Sequence, residues 1–275
     1  PATVRNVAQL KADGKVVIEP ASGFLAEGYN GKGRLPEPEE IFEQITFLES
    51  RRASKSPLKG KSVLITAGGT KERIDPVRYI SNDSSGKMGY ALAKAASILG
   101  AKVQLVSTTK QLKVPYGVEV TYVESAHEME EVVTTQFPTT DIAVMVAAVS
   151  DYYVANRSNQ KIKKQQNESG LMLELLENPD ILKKLGHSKR EGQVVIGFAA
   201  ETTNVLEYAK AKLEKKKADA IIANDVSNSR IGFNSDHHQV TLLTKDGHIV
   251  NLPEKSKEEL ALNIWKSLLE EKIIH

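Results

Sequence analysis

The chain has 275 residues, of which 26% are charged and 40% hydrophobic, and its formal net charge is +2. These values are ordinary for a globular protein, so composition does not argue for nucleic-acid binding, and the lack of cysteine excludes a disulfide framework and thiolate chemistry. Since no apolar run approaches the roughly 20 residues of a membrane-spanning helix and no signal peptide is recognisable, we expect a cytoplasmic protein that binds neither nucleic acid nor membrane.

Residues 1–50 differ in pattern from the rest of the chain. The first twenty residues predict a short helix, a turn at Gly14 and a short strand, and the glycine-rich residues 21–36 predict a long loop. Two prolines then precede a helix over residues 39–50. The basic, serine-rich stretch 51–60 predicts a linker. We therefore divide the chain into an N-terminal arm (1–50), a linker (51–60) and a main domain (61–275).

From residue 61 onward, strand and helix patterns alternate. Strands are predicted at 62–67, 102–107, 119–123, 141–148, 194–199 and 219–223, and helices at 86–99, 125–136, 178–185, 203–217 and 256–270. This alternation predicts an α/β fold with a Rossmann-like, doubly wound, mostly parallel sheet and helices on both of its faces. Asp246-Gly247 predicts a β-hairpin that extends the sheet.

The stretch 61–100 carries the clearest functional signal. An apolar strand ends in Gly68-Gly69-Thr70, and Ser84-Ser85-Gly86-Lys87 later opens a helix rich in small residues. Backbone N–H groups and a helix N-terminus beyond the end of a strand suit a phosphate group. The stretch is not a Walker A loop, because Ser81 occupies the first glycine position and Met88 follows Lys87. It does not match the G-x-G-x-x-G dinucleotide fingerprint either.

Polar residues follow the other predicted strands, at the sheet edge where ligands of open α/β folds bind. They are Ser107–Thr109, Ser150-Asp151, Glu201-Thr202 and Asn224-Asp225. Turn chemistry alone favours such residues, so each one separately has a structural explanation. Their number, together with the Gly-Gly turn, favours a binding site.

The polar, basic segment 152–170 allows two interpretations. It is either a solvated loop or a mobile lid that brings Lys161, Lys163 and Lys164 onto a polyphosphate. Asp151, directly before it, could bind a metal ion or a ribose hydroxyl. Lys215–Lys217 end a predicted helix, where cations complement the helix dipole, so we interpret them as mainly structural.

Several segments, in order, resemble the phosphopantothenoylcysteine synthetase family of coenzyme A biosynthesis. They are LITAGGTKERIDPVRYISNDSSGKMGYALA, AAVSDYY, KIKK, LENPDIL, VIGFAAET, DAIIANDVS and GFNSD, and they cover about residues 60–250. Residues 28–38 resemble the C-terminal end of the flavin-dependent decarboxylase that is linked to the synthetase in bacterial bifunctional proteins. We interpret residues 1–50 as a remnant of that half. Glu27 stands where the decarboxylase has Cys, and the flavin-binding body is absent, so we expect no decarboxylation.

The resemblance implies a ligase that joins 4′-phosphopantothenate to L-cysteine. The acid's carboxylate attacks the α-phosphorus of a nucleoside triphosphate, pyrophosphate leaves, and the amine of cysteine displaces the nucleotide from the acyl-nucleotidylate. The GFAAET and KIKK segments resemble the bacterial, CTP-using form. The resemblance therefore implies CTP as co-substrate, an acyl-cytidylate intermediate, CMP as product, Mg²⁺ on the triphosphate and a homodimer.

The resemblance also assigns residues to roles. Lys163 matches the catalytic lysine, Asn82 matches the residue that holds the acyl-nucleotidylate, and Arg78 is a partner for a carboxylate or phosphate. The other expected nucleotide contacts are Gly68, Gly69, Thr70, Ser84, Ser85, Gly86, Lys87, Ala147, Asp151, Lys161, Lys164 and Phe198. The expected substrate contacts are Asn82, Ala148, Asn224 and Asp225, and Asp151 is the candidate metal ligand.

Two other functions are alternatives. An NADP-dependent Rossmann-fold oxidoreductase would want a Tyr-x-x-x-Lys pair after the fourth strand, but Asn156 and Arg157 stand four residues beyond Tyr152 and Tyr153. A non-catalytic nucleotide-binding module would leave Asn82 and the lysines of the KIKK segment without a task.

Overall fold

The structure is a computed structural model that describes residues 1–52, 56–163, 170–201, 205–225 and 237–275, with the backbone alone at 200, 201, 205, 225, 237 and 238. The chain divides into two compact units, Pro1–Ser54 and Lys55–His275. Each unit is described by itself. Within the described residues, no helix combines the length and the apolar character needed to cross a bilayer.

The first unit contains two helices and a hairpin. Its elements are α1 (Ala2–Ala12), β1 (Ala21–Phe24), β2 (Asn30–Arg34) and α2 (Pro38–Arg52). The helix predicted at 39–50 is confirmed, and it carries acidic residues in its first turn and Arg51 and Arg52 in its last, which complements its dipole.

Two predictions for the first unit are wrong. Residues 15–20 form no strand, and the predicted loop 21–36 contains the antiparallel pair β1–β2, in which Gly23 lies opposite Gly31. The ladder depends on backbone hydrogen bonds, and the glycine-rich sequence lacks the β-branched alternation by which a strand is recognised. The predicted linker is also shorter than expected, because α2 extends to Arg52 and Leu58 is fully buried in the second unit, where its N–H donates to the carbonyl of Leu99 over 2.9 Å.

The second unit alternates strands and helices as predicted. In chain order its elements are β3 (Ser62–Ala67), β4 (Lys71–Arg73), β5 (Tyr79–Ser81), α3 (Lys87–Ile98), β6 (Lys102–Ser107), β7 (Val118–Tyr122), α4 (Ala126–Gln136), β8 (Ile142–Met145), β9 (Tyr152–Val154), β10 (Leu175–Glu177), α5 (Ile181–Ser188), β11 (Val194–Glu201), α6 (Val205–Lys216), β12 (Ala220–Asp225), β13 (His237–Thr244), β14 (Ile249–Ser256) and α7 (Lys257–Glu270).

Eight of these strands form one sheet in the order β14-β13-β12-β11-β8-β3-β6-β7. The six strands from β12 to β7 are parallel, and their spatial order is that of a doubly wound dinucleotide fold, 3-2-1-4-5-6. β13 and β14 are antiparallel and turn at Asp246-Gly247, as the sequence predicts. The strand order reverses between β3 and β8, and this is where such sheets open a crevice for ligands.

Helices cover both faces of the sheet, which confirms the predicted fold class. Successive residues of β3 point to opposite faces: Ile65 joins the cluster around Trp265, and Leu64 joins the cluster around Met129. The first cluster contains residues of α3 and α7, and the indole N–H of the fully buried Trp265 donates to the carbonyl of Leu92 over 3.1 Å.

The end of β8 and the start of α5, which both lie next to the crevice, differ from the prediction. The strand predicted at 141–148 ends at Met145, because the hydroxyl of Thr66 accepts the N–H groups of Val146 and Ala147, over 3.0 and 3.1 Å, in place of the sheet ladder. The helix predicted at 178–185 begins at Ile181, because the Asp180 carboxylate caps it by accepting the N–H of Lys183.

Two short ribbons stand beyond the carboxyl ends of the parallel strands. β4 pairs with β5 directly after β3, and β9 pairs with β10 after β8. The segment 152–170, predicted as a loop or lid, therefore begins as a strand. Residues 164–169 lie outside the described residues.

Candidate nucleotide and substrate site

A cleft of about 740 Å³ opens at the carboxyl edge of the sheet, around the point where the strand order reverses. Its wall includes the end of β3 with the start of α3, the loop after β8, the turn before α5 and the ends of β11 and β12, together with residues of α6, β13 and α7. The predicted site residues that line it are Gly68, Asn82, Ser84, Ser85, Gly86, Lys87, Ala147, Ala148, Asp151, Phe198 and Asn224. The structure thus brings most of the sequence-predicted residues to one place.

The floor of the cleft is a close approach between the end of β3 and the start of α3. Gly68 and Gly86 both have positive φ angles, +89° and +76°. A Cβ atom on Gly86 would lie 2.9 Å from Cγ2 of Thr109 and 3.2 Å from the nitrogen of Gly68, so only glycine fits. Gly86 also has no side chain with which to cap α3, whose first turn lines the cleft. The hydroxyl of Ser85 accepts the N–H of Lys87 over 3.4 Å. The N-terminus of a helix favours an anion.

Gly69 packs against the backbone of the next loop and does not line this cleft. A Cβ atom there would lie 2.5 Å from the carbonyl oxygen of Asn82. Gly69 instead borders an adjoining cavity of about 960 Å³, which shares Asn82–Ser85 and Lys87 as a common wall and contains Lys71 and Lys110.

Thr70 lies beneath the site. It is fully buried, and its hydroxyl accepts the N–H of Ser150 over 2.9 Å. Its N–H donates to the carbonyl of Ala148, whose own N–H donates to Gly68. The side chain of Thr70 therefore joins the loops that follow β3 and β8 and does not reach the cleft.

Asn82 joins the loop that opens α3 to the loop that follows β8. Its side-chain Nδ2 donates to the carbonyl of Val149 over 3.1 Å, with the carbonyl of Ala148 at 3.5 Å. Because the amide nitrogen faces these carbonyls, the side chain is held in one orientation at the boundary between the two cavities.

Asp151 stands at the rim of the cleft, and the backbone on either side of it is fixed by Asn178. The N–H of Asn178 donates to the carbonyl of Asp151 over 2.8 Å, and its Nδ2 donates to the carbonyl of Ser150 over 2.9 Å. No group of three or more metal-binding side chains occurs among the described residues. A single carboxylate is still compatible with Mg²⁺, which keeps several waters and relies on phosphate oxygens.

The sequence places Ser150 among the polar residues at the sheet edge, but it gives no role to Asn178, its neighbour in the cleft wall. Within the described part of the chain, Oδ1 of Asn178 and Oγ of Ser150 are buried without a hydrogen-bond partner. Buried polar atoms are nearly always satisfied, so these two point to a ligand or water in the cleft. The sequence signal for Asn178 is the LENPDIL segment, which contains it.

Sequence reasoning also missed three lysines of the cleft wall, Lys212 and Lys216 of α6 and Lys257 at the start of α7. Lys216 forms an ion pair with Asp180. Burial tends to raise the pKa of Asp180, but the hydrogen bonds from Lys216 and from the N–H of Lys183 outweigh it and hold the pKa below its usual range. The interpretation of Lys215–Lys217 as mainly structural is thus incomplete, because the i, i+4 spacing of Lys212 and Lys216 puts both on one face.

Arg78, Lys161 and Lys163 do not line the cleft. The guanidinium of Arg78 binds the carboxylate of Asp75 and the carbonyl of Ile162, and both lysines are exposed. Lys164 and the side chain of Asp225 lie outside the described residues, and the backbone of Asp225 ends β12.

The chain is similar in sequence to known proteins. The family described as DNA/pantothenate metabolism flavoprotein C-terminal domain matches residues 58–271. The coenzyme A biosynthesis bifunctional protein CoaBC of Bacillus subtilis is 45% identical over 269 residues, which cover 98% of this chain and 65% of the relative. The CoaBC protein of Haemophilus influenzae is 45% identical over 268 residues, with the same coverage. The chain therefore spans about 65% of the length of these relatives.

Two solved structures share the fold. The crystal structure of the C-terminal domain of a coenzyme A biosynthesis bifunctional protein CoaBC superposes with a TM-score of 0.66 and 43% identity, covering 79% of this chain and 100% of that one. A Cab2 H337A variant in complex with phosphopantothenate-cysteine has a TM-score of 0.62 at 18% identity, covering 86% of this chain and 95% of that one. The second likeness concerns the fold alone.

Proposed function

Since the chain belongs to the DNA/pantothenate metabolism flavoprotein C-terminal domain family, we propose that it is the ligase that joins 4′-phosphopantothenate to L-cysteine in coenzyme A biosynthesis. The identity to CoaBC proteins over 98% of the chain supports this activity. The observation that carries the proposal is the cleft itself, which is lined by the N-terminus of α3, two lysines of α6 and Asn82.

The chemistry requires two anions to meet, and the cleft residues suit that task. The N–H groups at the start of α3 and the ammonium groups of Lys212 and Lys216 would bind the triphosphate and offset the charge of the approaching carboxylate. Asn82, neutral and held by Val149, would donate and accept hydrogen bonds to the acyl-nucleotidylate without repelling it.

We further propose that Asp151 helps to hold Mg²⁺, which when bound would neutralise the triphosphate oxygens and assist pyrophosphate departure. The fit rests on the chemistry of the donors: one exposed carboxylate at the rim, next to a phosphate-binding helix start, offers the hard oxygen that Mg²⁺ prefers.

We propose CTP as the triphosphate because of the likeness to bacterial bifunctional proteins. The unpartnered Oδ1 of Asn178 would accept a hydrogen bond from an exocyclic amino group of the base. Cytosine and adenine both carry such a group, so this contact alone does not separate CTP from ATP.

We also propose that the protein is cytoplasmic and forms a homodimer. Tyr152, Leu175 and Leu176 of the β9–β10 ribbon are exposed apolar side chains that a second copy of the chain could cover. Light scattering of the purified chain tests this, and a monomer at micromolar concentration would contradict it.

The activity is tested with the purified chain, 4′-phosphopantothenate, L-cysteine and Mg²⁺, with CTP and ATP assayed side by side. We expect pyrophosphate release that depends on phosphopantothenate, and an amide product, identified by mass, that also needs cysteine. If neither CTP nor ATP supports pyrophosphate release, the proposed ligase activity is rejected. A titration with NADPH serves as the control for the oxidoreductase alternative, and we expect no saturable binding.

A further inference from the structure

The carboxylate of Asp75 is fully buried in the turn between β4 and β5 and is surrounded by donors. Its Oδ1 accepts the N–H groups of Val77 and Arg78, both at 2.8 Å. Its Oδ2 accepts Nε and Nη2 of Arg78, at 3.0 and 2.5 Å, and the N–H of Ile162 at 3.2 Å. The Arg78 guanidinium, opposed by burial and assisted by the backbone N–H groups, holds the pKa of Asp75 well below its usual range.

Ile162 is the member of this cluster that is distant in the sequence. Both its backbone N–H and its backbone carbonyl form hydrogen bonds within the cluster. Its N–H donates to Asp75, and its carbonyl accepts Nη2 of Arg78 over 3.0 Å. Four residues earlier, the N–H of Ser158 donates to the carbonyl of Ile74 over 3.0 Å. These contacts attach residues 158–162 to the β4–β5 turn.

The attached residue lies between the two exposed lysines of the segment, Lys161 and Lys163. A lysine side chain has four methylene groups linked by rotatable bonds, and it loses much conformational entropy when it is fixed. Fixing the backbone between the two lysines limits the space that either ammonium group explores. A catalytic group must be placed closely to act, and a misplacement of about 1 Å can cost about 10²-fold in rate.

We propose that Asp75 is a positioning residue: with Arg78 it clasps the backbone of Ile162 and thereby sets where Lys161 and Lys163 stand relative to the cleft. The inference rests on the proposed function for its consequence in catalysis. It also gives Arg78 a structural task, because Nε and Nη2 of its guanidinium are already engaged.

Two variants test the clasp. Asp75→Asn keeps the size of the side chain and one acceptor for Val77 and Arg78, but it turns an N–H₂ group toward the donors of Ile162 and Arg78. Ile162→Pro removes the N–H of Ile162, fixes the φ angle there and replaces the side chain. It leaves the Asp75–Arg78 pair in place, so it carries the test if Asp75→Asn does not fold.

We measure amide hydrogen exchange over residues 158–163 and the steady-state constants for the nucleotide. In both variants we expect exchange to accelerate about tenfold or more, since local opening frees the protected N–H groups. We expect kcat to fall about 10- to 100-fold, while the KM for CTP changes less than about twofold because the clasp does not touch the cleft.

Asp141→Asn is the matched control. Asp141 also accepts a backbone N–H, that of Ser62 over 2.7 Å, together with the Ser62 hydroxyl, but it lies at the opposite end of β3. Exchange over 158–163 in Asp75→Asn no faster than in this control would overturn the clasp. Faster exchange with an unchanged kcat would overturn the positioning role. If the wild-type chain forms no amide product, the proposed function fails, and the exchange measurement still decides whether the clasp exists.

Discussion

The side-chain amide of Asn82 donates a hydrogen bond to the backbone carbonyl of Val149 across 3.1 Å. This contact joins the loop that opens α3 to the loop that follows β8, and these loops form two walls of the cleft. It also fixes which end of the amide faces the protein, with Nδ2 toward the carbonyl.

Replacement of Asn82 by Asp tests the importance of that orientation. A carboxylate oxygen would face the carbonyl of Val149, and the negative charge would repel both the triphosphate and the acid. We expect a loss of about 10²–10³ in kcat for amide formation, as for removal of one preorganised donor. Asn251→Asp in β14, whose side chain accepts from Thr241 away from the cleft, should stay within about twofold of the wild type. Equal losses in the two variants would contradict a local role for Asn82.

The close approach at Gly86 predicts a combined loss of stability and nucleotide binding in Gly86→Ala. The positive φ alone costs about 1–2 kcal/mol for an alanine, and the new Cβ would also press on Thr109 and Gly68. Gly247→Ala is the matched control, because Gly247 has a φ of +86° and open space around its Cβ position. Urea unfolding should show the larger loss in Gly86→Ala, and isothermal titration should show weaker CTP binding in that variant alone.

Lys212 and Lys216 predict a nucleotide-binding face on α6. A charge-assisted hydrogen bond contributes about 1.5–3 kcal/mol, so replacement of either lysine by alanine should raise the KM for CTP about 10- to 100-fold. Lys210→Ala on the same helix is exposed and does not line the cleft, so its KM should stay near that of the wild type. A KM shift in Lys210→Ala as large as the others would mean that net charge, not position, is responsible.

A comparison of two single variants, Lys161→Ala and Lys163→Ala, tests which lysine of the segment is catalytic. The resemblance assigns this role to Lys163, and that assignment stays a prediction, since both side chains are exposed outside the cleft. Replacement of the catalytic lysine should lower kcat by about 10² or more, whereas replacement of its neighbour should change kcat less than about fivefold. A larger loss in Lys161→Ala would reassign the role by two residues.

The pH dependence of stability follows from Asp75. Its pKa in the folded protein lies below the unfolded value, which is about 3.9, chiefly because of Arg78. The stability it contributes is therefore fully present above the unfolded pKa and is lost as the pH falls through the folded pKa. The difference in unfolding free energy between the wild type and Asp75→Asn should be constant above about pH 5.5 and shrink below about pH 4. Urea unfolding from pH 7 to 3.5 measures it, and a difference that grows on acidification would contradict the cause.

The main sheet was predictable because its signals are local. Each element can be predicted from a short stretch of sequence. Examples are the apolar runs of β3 and β11, the Asp246-Gly247 turn and the spacing of strands and helices. The hairpin in residues 21–34 was missed because glycine-rich strands lack side-chain alternation. The early end of β8 was missed because it depends on a hydroxyl 80 residues away, that of Thr66.

The sequence by itself determined the doubly wound fold and the family, since both follow from short segments whose chemistry does not depend on distant partners. That the Gly68–Lys87 stretch binds phosphate stays a prediction. Only the tertiary structure decided which polar residues share the cleft. In the structure, Thr70 lies beneath the cleft, and Lys212 and Lys216 line it. The guanidinium of Arg78 binds Asp75 and the carbonyl of Ile162. The physical reason is that the role of a side chain follows from the groups that it contacts in space. The loops beyond the sheet edge bring together residues that are far apart in the sequence, such as Asp75 and Ile162, which are 87 positions apart.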